Sequence, residues 1–134
     1  MRSNKLPILI GLLVIVLSVL ACSGSVTTAN IADAWMSTDE EGNNRTTVYT
    51  PNAVFYVQAD LRNAPDDTRL KAVWIAVDVE GADPNLTIYE TEFVSGSGLV
   101  HFSLSNNNPW PQGKYKVELY LDDKLAKTVE FEVK

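Results

Sequence analysis

The side chains that could do chemistry in this 134-residue chain are few, which narrows the chemistry. It has one cysteine, Cys22, and one histidine, His101. A nucleophilic triad needs a nucleophile, a base and a group that orients the base. A zinc site needs three or four nitrogen or sulfur ligands. One histidine and one cysteine make both hard to build. His101 shares its side of a strand with Ser103 and Ser105, which reads as a surface position. Acids are plentiful. Asp39-Glu40-Glu41-Gly42-Asn43-Asn44 and Asp78-Val79-Glu80-Gly81-Ala82-Asp83 are oxygen-rich loops, but neither has the spacing of a calcium-binding loop, and both read as solvated turns. Paired carboxylates for glycoside hydrolysis can be drawn by chance from 17 acids, so they carry no signal without geometry. No catalytic residue, no metal ligand and no cofactor is expected.

Cys22 has a more specific context. Leu6 to Leu20 is an apolar run behind Arg2 and Lys5, and it ends in Val19-Leu20-Ala21-Cys22, followed by Ser23-Gly24-Ser25. A basic start, an apolar stretch of about 15 residues and a small residue before a cut site describe a secretory signal. The four residues at its end resemble the bacterial lipobox, with Val19 for the commoner leucine and Leu20 where a smaller residue is usual. The resemblance implies that the Cys22 thiol takes a diacylglyceryl group, that residues 1–21 are cut away as a lipoprotein signal peptide, and that the new amine is acylated. Two or three acyl chains hold a protein stably at a bilayer where one does not. An uncleaved helix over residues 6–22 is the competing reading, at the short end for spanning. Either way the remainder works outside the cytoplasm, at the cell membrane or the outer membrane. Ser23 favours the outer membrane if the organism has two.

Loss of Arg2 and Lys5 with the signal leaves the mature chain near −8, since all 17 acids lie downstream. Nucleic acid and anionic lipid surfaces both require basic patches, so neither is an expected partner. Residues 22–30 read as the lipidated cysteine and a short polar tether. Eight residues reach at most about 28 Å, which places residues 31–134 close to their membrane as one domain.

That domain reads as strands and turns. Ala53 to Leu61 alternates, with Phe55, Val57, Ala59 and Leu61 on one side. Leu70 to Val79 is apolar on both faces, as a central strand can be. Residues 86–94 are β-rich, and 99–105 alternate with Val100, Phe102 and Leu104 in register. Tyr115, Val117, Leu119 and Leu121 share a face within 114–123, and Val129, Phe131 and Val133 within 125–133. No stretch after Cys22 keeps a helical period. About seven short strands separated by turns predict an all-β fold, a single antiparallel β-sandwich.

The segment from Asn106 to Lys134 resembles the last two strands of immunoglobulin-like domains of bacterial envelope proteins. It has the turn Trp110-Pro111-Gln112-Gly113-Lys114-Tyr115, an alternating strand, an Asp-rich hairpin and a final Phe131-Glu132-Val133. The resemblance implies an immunoglobulin or fibronectin type III sandwich over residues 31–134. It makes Tyr115 the tyrosine corner, with Val117 and Val57 replacing the inter-sheet disulfide. It implies no catalytic residues, because such modules bind, space or brace.

Two aromatic residues are the candidate partner-binding positions. Val73, Ile75, Val77 and Val79 share a parity and form the better core set, which turns Trp74 outward between Ala72 and Ala76. Tyr120 is outward on the neighbouring strand, and the pair would form a patch bordered by Lys116, Glu118 and Asp78. The opposing reading is that a tryptophan on the third strand of this fold belongs to the core. The function that follows is a membrane-anchored, non-catalytic module that binds an envelope protein or polymer. The alternative is an accessory subunit bracing a larger envelope complex. Oligomeric state is not legible.

Overall fold

A computed structural model describes residues 28–134; the apolar run, Cys22 and most of the tether lie outside the described residues. Eight strands follow in order: β1 (Asn30–Ser37), β2 (Val48–Tyr49), β3 (Phe55–Arg62), β4 (Thr68–Val79), β5 (Leu86–Ser95), β6 (Gly98–Leu104), β7 (Gly113–Leu121) and β8 (Lys124–Val133). They form an immunoglobulin-like sandwich. One sheet has the order β1-β3-β6 and the other β2-β8-β7-β4-β5. Every pairing between strands is antiparallel except β2 with β8. The first stretch of chain thus serves both sheets, crossing from β3 to β8 through the loop at residues 38–47.

Alternation decides which side chains enter the space between the sheets. Phe55, Val57, Ala59 and Leu61 of β3 face Leu70, Ala72 and Trp74 of β4 and Tyr115, Val117, Leu119 and Leu121 of β7, all in one buried cluster. Val57 and Val117 are both fully shielded, so aliphatic side chains fill the positions expected to replace a disulfide. Phe55 is the hub: its ring stacks on Trp110 at 4.5 Å and meets Phe131 at 4.7 Å, Tyr49 at 4.9 Å and Tyr115 at 5.6 Å. Edge-to-face and offset pairs of this kind add about 0.5–1.5 kcal/mol each beyond their area.

Trp74 corrects the expectation of an outward aromatic. It is 0 % exposed and lies in the core. The parity argument fails because β4 is covered on both faces. Ala72 and Ala76 are inside with Trp74, and their small size leaves room for the indole. Val73 and Ile75 point outward yet are only 7 % and 9 % exposed. Their register neighbours, Glu90 and Glu118 for Val73, Thr87 and Lys116 for Ile75, flank them on β5 and β7. A register shift between Ala76 and Asp78 returns Val79 to the interior.

The pairing also sorts the loops into two poles. Asn30 is opposite Arg62, Leu61 opposite Gly98, Thr68 opposite Ser95 and Leu70 opposite Leu121. The chain therefore enters at the pole that holds the turns at 63–67, 96–97 and 122–123. The loops at 38–47, 50–54, 80–85 and 105–112 lie at the other pole, with Lys134.

Candidate functional site

Buried polar groups serve the fold. Gln58 points out from β3 by parity but is 1 % exposed, because the loop at 38–44 lies over it. Its amide donates to the Glu40 carbonyl at 2.8 Å and the Ser37 hydroxyl at 3.2 Å. Gly42, at φ +79°, passes so close that a Cβ there would sit 2.7 Å from Gln58 Cδ. The Asp39 carboxylate accepts from the backbone N–H groups of Asn44 and Asn43 at 2.8 and 2.9 Å. Those bonds, Asn44's first, hold it below the usual carboxylate range. This acidic loop is thus a backbone-bonded cover for the small sheet. Trp35 joins it, donating Nε1–H to the Gly42 carbonyl at 3.0 Å, with the Arg45 guanidinium 4.0 Å above its ring. His101 is on the same outer face, exposed, its Nε2 3.2 Å from a Glu40 oxygen. Among the described residues, no group of three His, Cys, Asp or Glu side chains is gathered to hold a metal ion.

Tyr115 behaves as the corner residue: its hydroxyl donates to the Pro111 carbonyl at 2.5 Å, tying β7 to the preceding turn. Trp110 closes the same end, donating to the Ala53 carbonyl at 2.9 Å.

The outer face of the five-stranded sheet keeps one expected candidate and loses the other. Tyr120 is there, half-buried, with Lys71 Nζ 4.8 Å over its ring and its hydroxyl donating to Glu118 at 3.1 Å. Its phenol is raised above the ordinary value by desolvation, then by the bond to Glu118 and the charges of Glu118 and Glu90. Lys116 lies 3.6 Å from Glu118. Tyr120 therefore sits in a network of charged side chains, not beside a second exposed aromatic.

The residues that sequence reasoning passed over lie one strand further out. The large apolar side chains that remain exposed include Leu86, Tyr89 and Val94 on β5, and Leu99 on β6 of the other sheet. Tyr89 is 52 % exposed although its register partner Trp74 is fully buried. Phe93 of β5 packs on Phe102 of β6 at 4.8 Å, while Tyr89 stays exposed. β5 pairs with β4 alone, so no strand among the described residues pairs with its other edge. Glu90 and Glu92 are exposed on the same strand. β-rich composition over 86–94 signalled a strand, but nothing in it signalled an edge.

No protein-family model and no curated protein matches the chain. Solved structures do. An immunoglobulin-like protein from Pseudomonas aeruginosa superposes with a TM-score of 0.55 at 15 % identity, covering 83 % of this chain and 100 % of its own. The Pseudomonas fluorescens alkylpurine DNA glycosylase AlkC, bound to DNA containing an abasic site analogue, gives a TM-score of 0.55 at 10 % identity over 87 % of this chain. This chain spans only 33 % of the glycosylase's length. At such identities the likeness carries the fold: residues 28–134 form an immunoglobulin-like β-sandwich.

Proposed function

We propose that the chain is a non-catalytic binding module of the cell envelope, held at its membrane by lipid on Cys22 and turned away from the cytoplasm. The anchoring rests on Val19-Leu20-Ala21-Cys22 behind a basic, apolar leader. The binding role rests on one observation: β5 is an unpaired sheet edge that carries three of the large exposed apolar side chains, Leu86 and Tyr89 on its inner side and Val94 on its outer side. The acid excess argues against nucleic acid, although one structural neighbour is a DNA-bound enzyme. The partner is an envelope protein.

Two measurements test this. Labelled fatty acid should enter the wild type and fail to enter Cys22→Ser; label in the variant removes the anchor. The full chain, immobilised in detergent, should retain a defined protein from an envelope extract and lose it in Tyr89→Ser/Val94→Ser. Both positions are exposed, so the fold survives the change. Retention that ignores the substitutions moves the partner surface away from β5, and no retained protein from a folded domain removes the binding role.

A further inference from the structure

The sandwich has several open edges, and most are guarded. β8 carries Lys124 and Lys127, has a register shift opposite Leu119 and Tyr120, and is capped at its end by β2. β1 has a register shift between Ile31 and Asp33, and its last residue bridges to Arg45. β6 is an unguarded edge of seven residues in unbroken register with β3, but it carries no acidic side chain that could select a basic strand. Lysines, bulges and short length are the usual means of blunting an edge.

β5 is different. It is ten residues long and contains no proline, lysine or arginine. Its single irregularity, opposite Trp74 and Ile75, lies near the start, and Glu90 to Ser95 pair in unbroken register with Val73 to Thr68. The inner side of that stretch presents Thr91 and Phe93, only partly covered, next to the exposed Tyr89. The outer side presents Glu90, Glu92 and Val94. Lys116 bridges Glu118 and Arg69 bridges Asp123; Arg69 feels the charge of Glu92 but makes no ion pair with it. Lys71, opposite Glu92, is turned over the ring of Tyr120.

These charges select the occupant. A second copy of β5 laid antiparallel about Thr91 would set Glu90 against Glu92 twice, and like charges directly opposite destabilise a pair. A basic strand meets the reverse condition. Resting on the binding-module reading above, we propose that Glu90 to Ser95 accept an added strand from an extended basic segment of the partner protein. Its lysines or arginines lie opposite Glu90 and Glu92, and its alternate side chains continue the inner face beside Phe93. Backbone hydrogen bonds supply the affinity and the paired charges supply the selection.

The probe is a ten-residue peptide alternating lysine with valine and threonine, titrated onto the full chain in detergent. Binding should slow amide exchange at residues 90–95. It should weaken by about tenfold or more in Glu90→Lys/Glu92→Lys, as for loss of close charge pairs. The same peptide N-methylated on alternate residues keeps its charge but cannot pair, and should not bind. An N-methylated peptide that binds equally well, or protection confined to residues around Tyr120, overturns strand addition in favour of adsorption to the face. A probe that fails to bind while the envelope partner is still captured overturns it too, and leaves the binding role standing. Failure of both removes the binding role with it.

Discussion

At Trp74 the fold accepts a local cost. Its indole Nε1 is buried with no hydrogen-bond partner, and its ring meets Phe131 edge-on at 6.1 Å. An unsatisfied buried donor costs about 1–3 kcal/mol, which the packed ring area outweighs. Trp74→Ala should therefore lose about 3–5 kcal/mol, as for other large aromatic deletions. Trp74→Phe should lose distinctly less, about 1–2 kcal/mol, because it removes the orphan donor with the lost volume. Urea unfolding of the two variants checks the order; a Trp74→Phe loss well above that range would mean the indole N–H has a partner. Two buried tyrosines set a limit at alkaline pH. Burial pushes the Tyr49 and Tyr115 hydroxyls up to about 12, from an ordinary value of 10.0. Above pH 10 the unfolded chain gives up protons that the folded chain retains, so stability should be level below 10 and fall between 10 and 12. Urea midpoints across that range should show the decline, and Tyr49→Phe should flatten it.

At the level of elements, the loop at 38–44 matters most for the small sheet. Gly42→Ala meets both a positive φ and the Gln58 side chain. It should lift the loop, break the bond from Trp35 Nε1 to the Gly42 carbonyl, and cost about 1–2 kcal/mol. A red shift in tryptophan emission, absent when Trp35 is replaced by phenylalanine, would report it. Elements also show how much of the structure was legible beforehand. β3, β7 and β8 were readable because the core takes alternate side chains from each. β4 was readable as a strand but not as to its faces, since a strand covered on both sides loses the contrast that parity depends on. β1 was obscured by the register shift between Ile31 and Asp33, and β2 is only two residues long. The burial of Gln58 was invisible because a remote loop causes it. Tyr115 was legible, since its turn carries a motif. Tyr89, Glu90 and Glu92 were visible as residues but not as a site, because strand order, which local pattern does not encode, makes β5 an edge.

Over the whole molecule, the register places Asn30 at one pole and Lys134 at the other, with Ser95 near the first. On the proposed anchoring, the regular stretch of β5 faces the membrane-proximal half, within reach of a partner that is itself membrane-bound. The same arrangement has a mechanical consequence. A pull from the tether acts along β1, whose residues lie against β3 from Asn30 to Ser37. Ladder hydrogen bonds run perpendicular to the strands, so the tug strains the regular row from Asp33 to Ser37 together instead of peeling it one rung at a time. On the proposed anchoring, β1 is the strand that carries tension from the lipid into the sandwich.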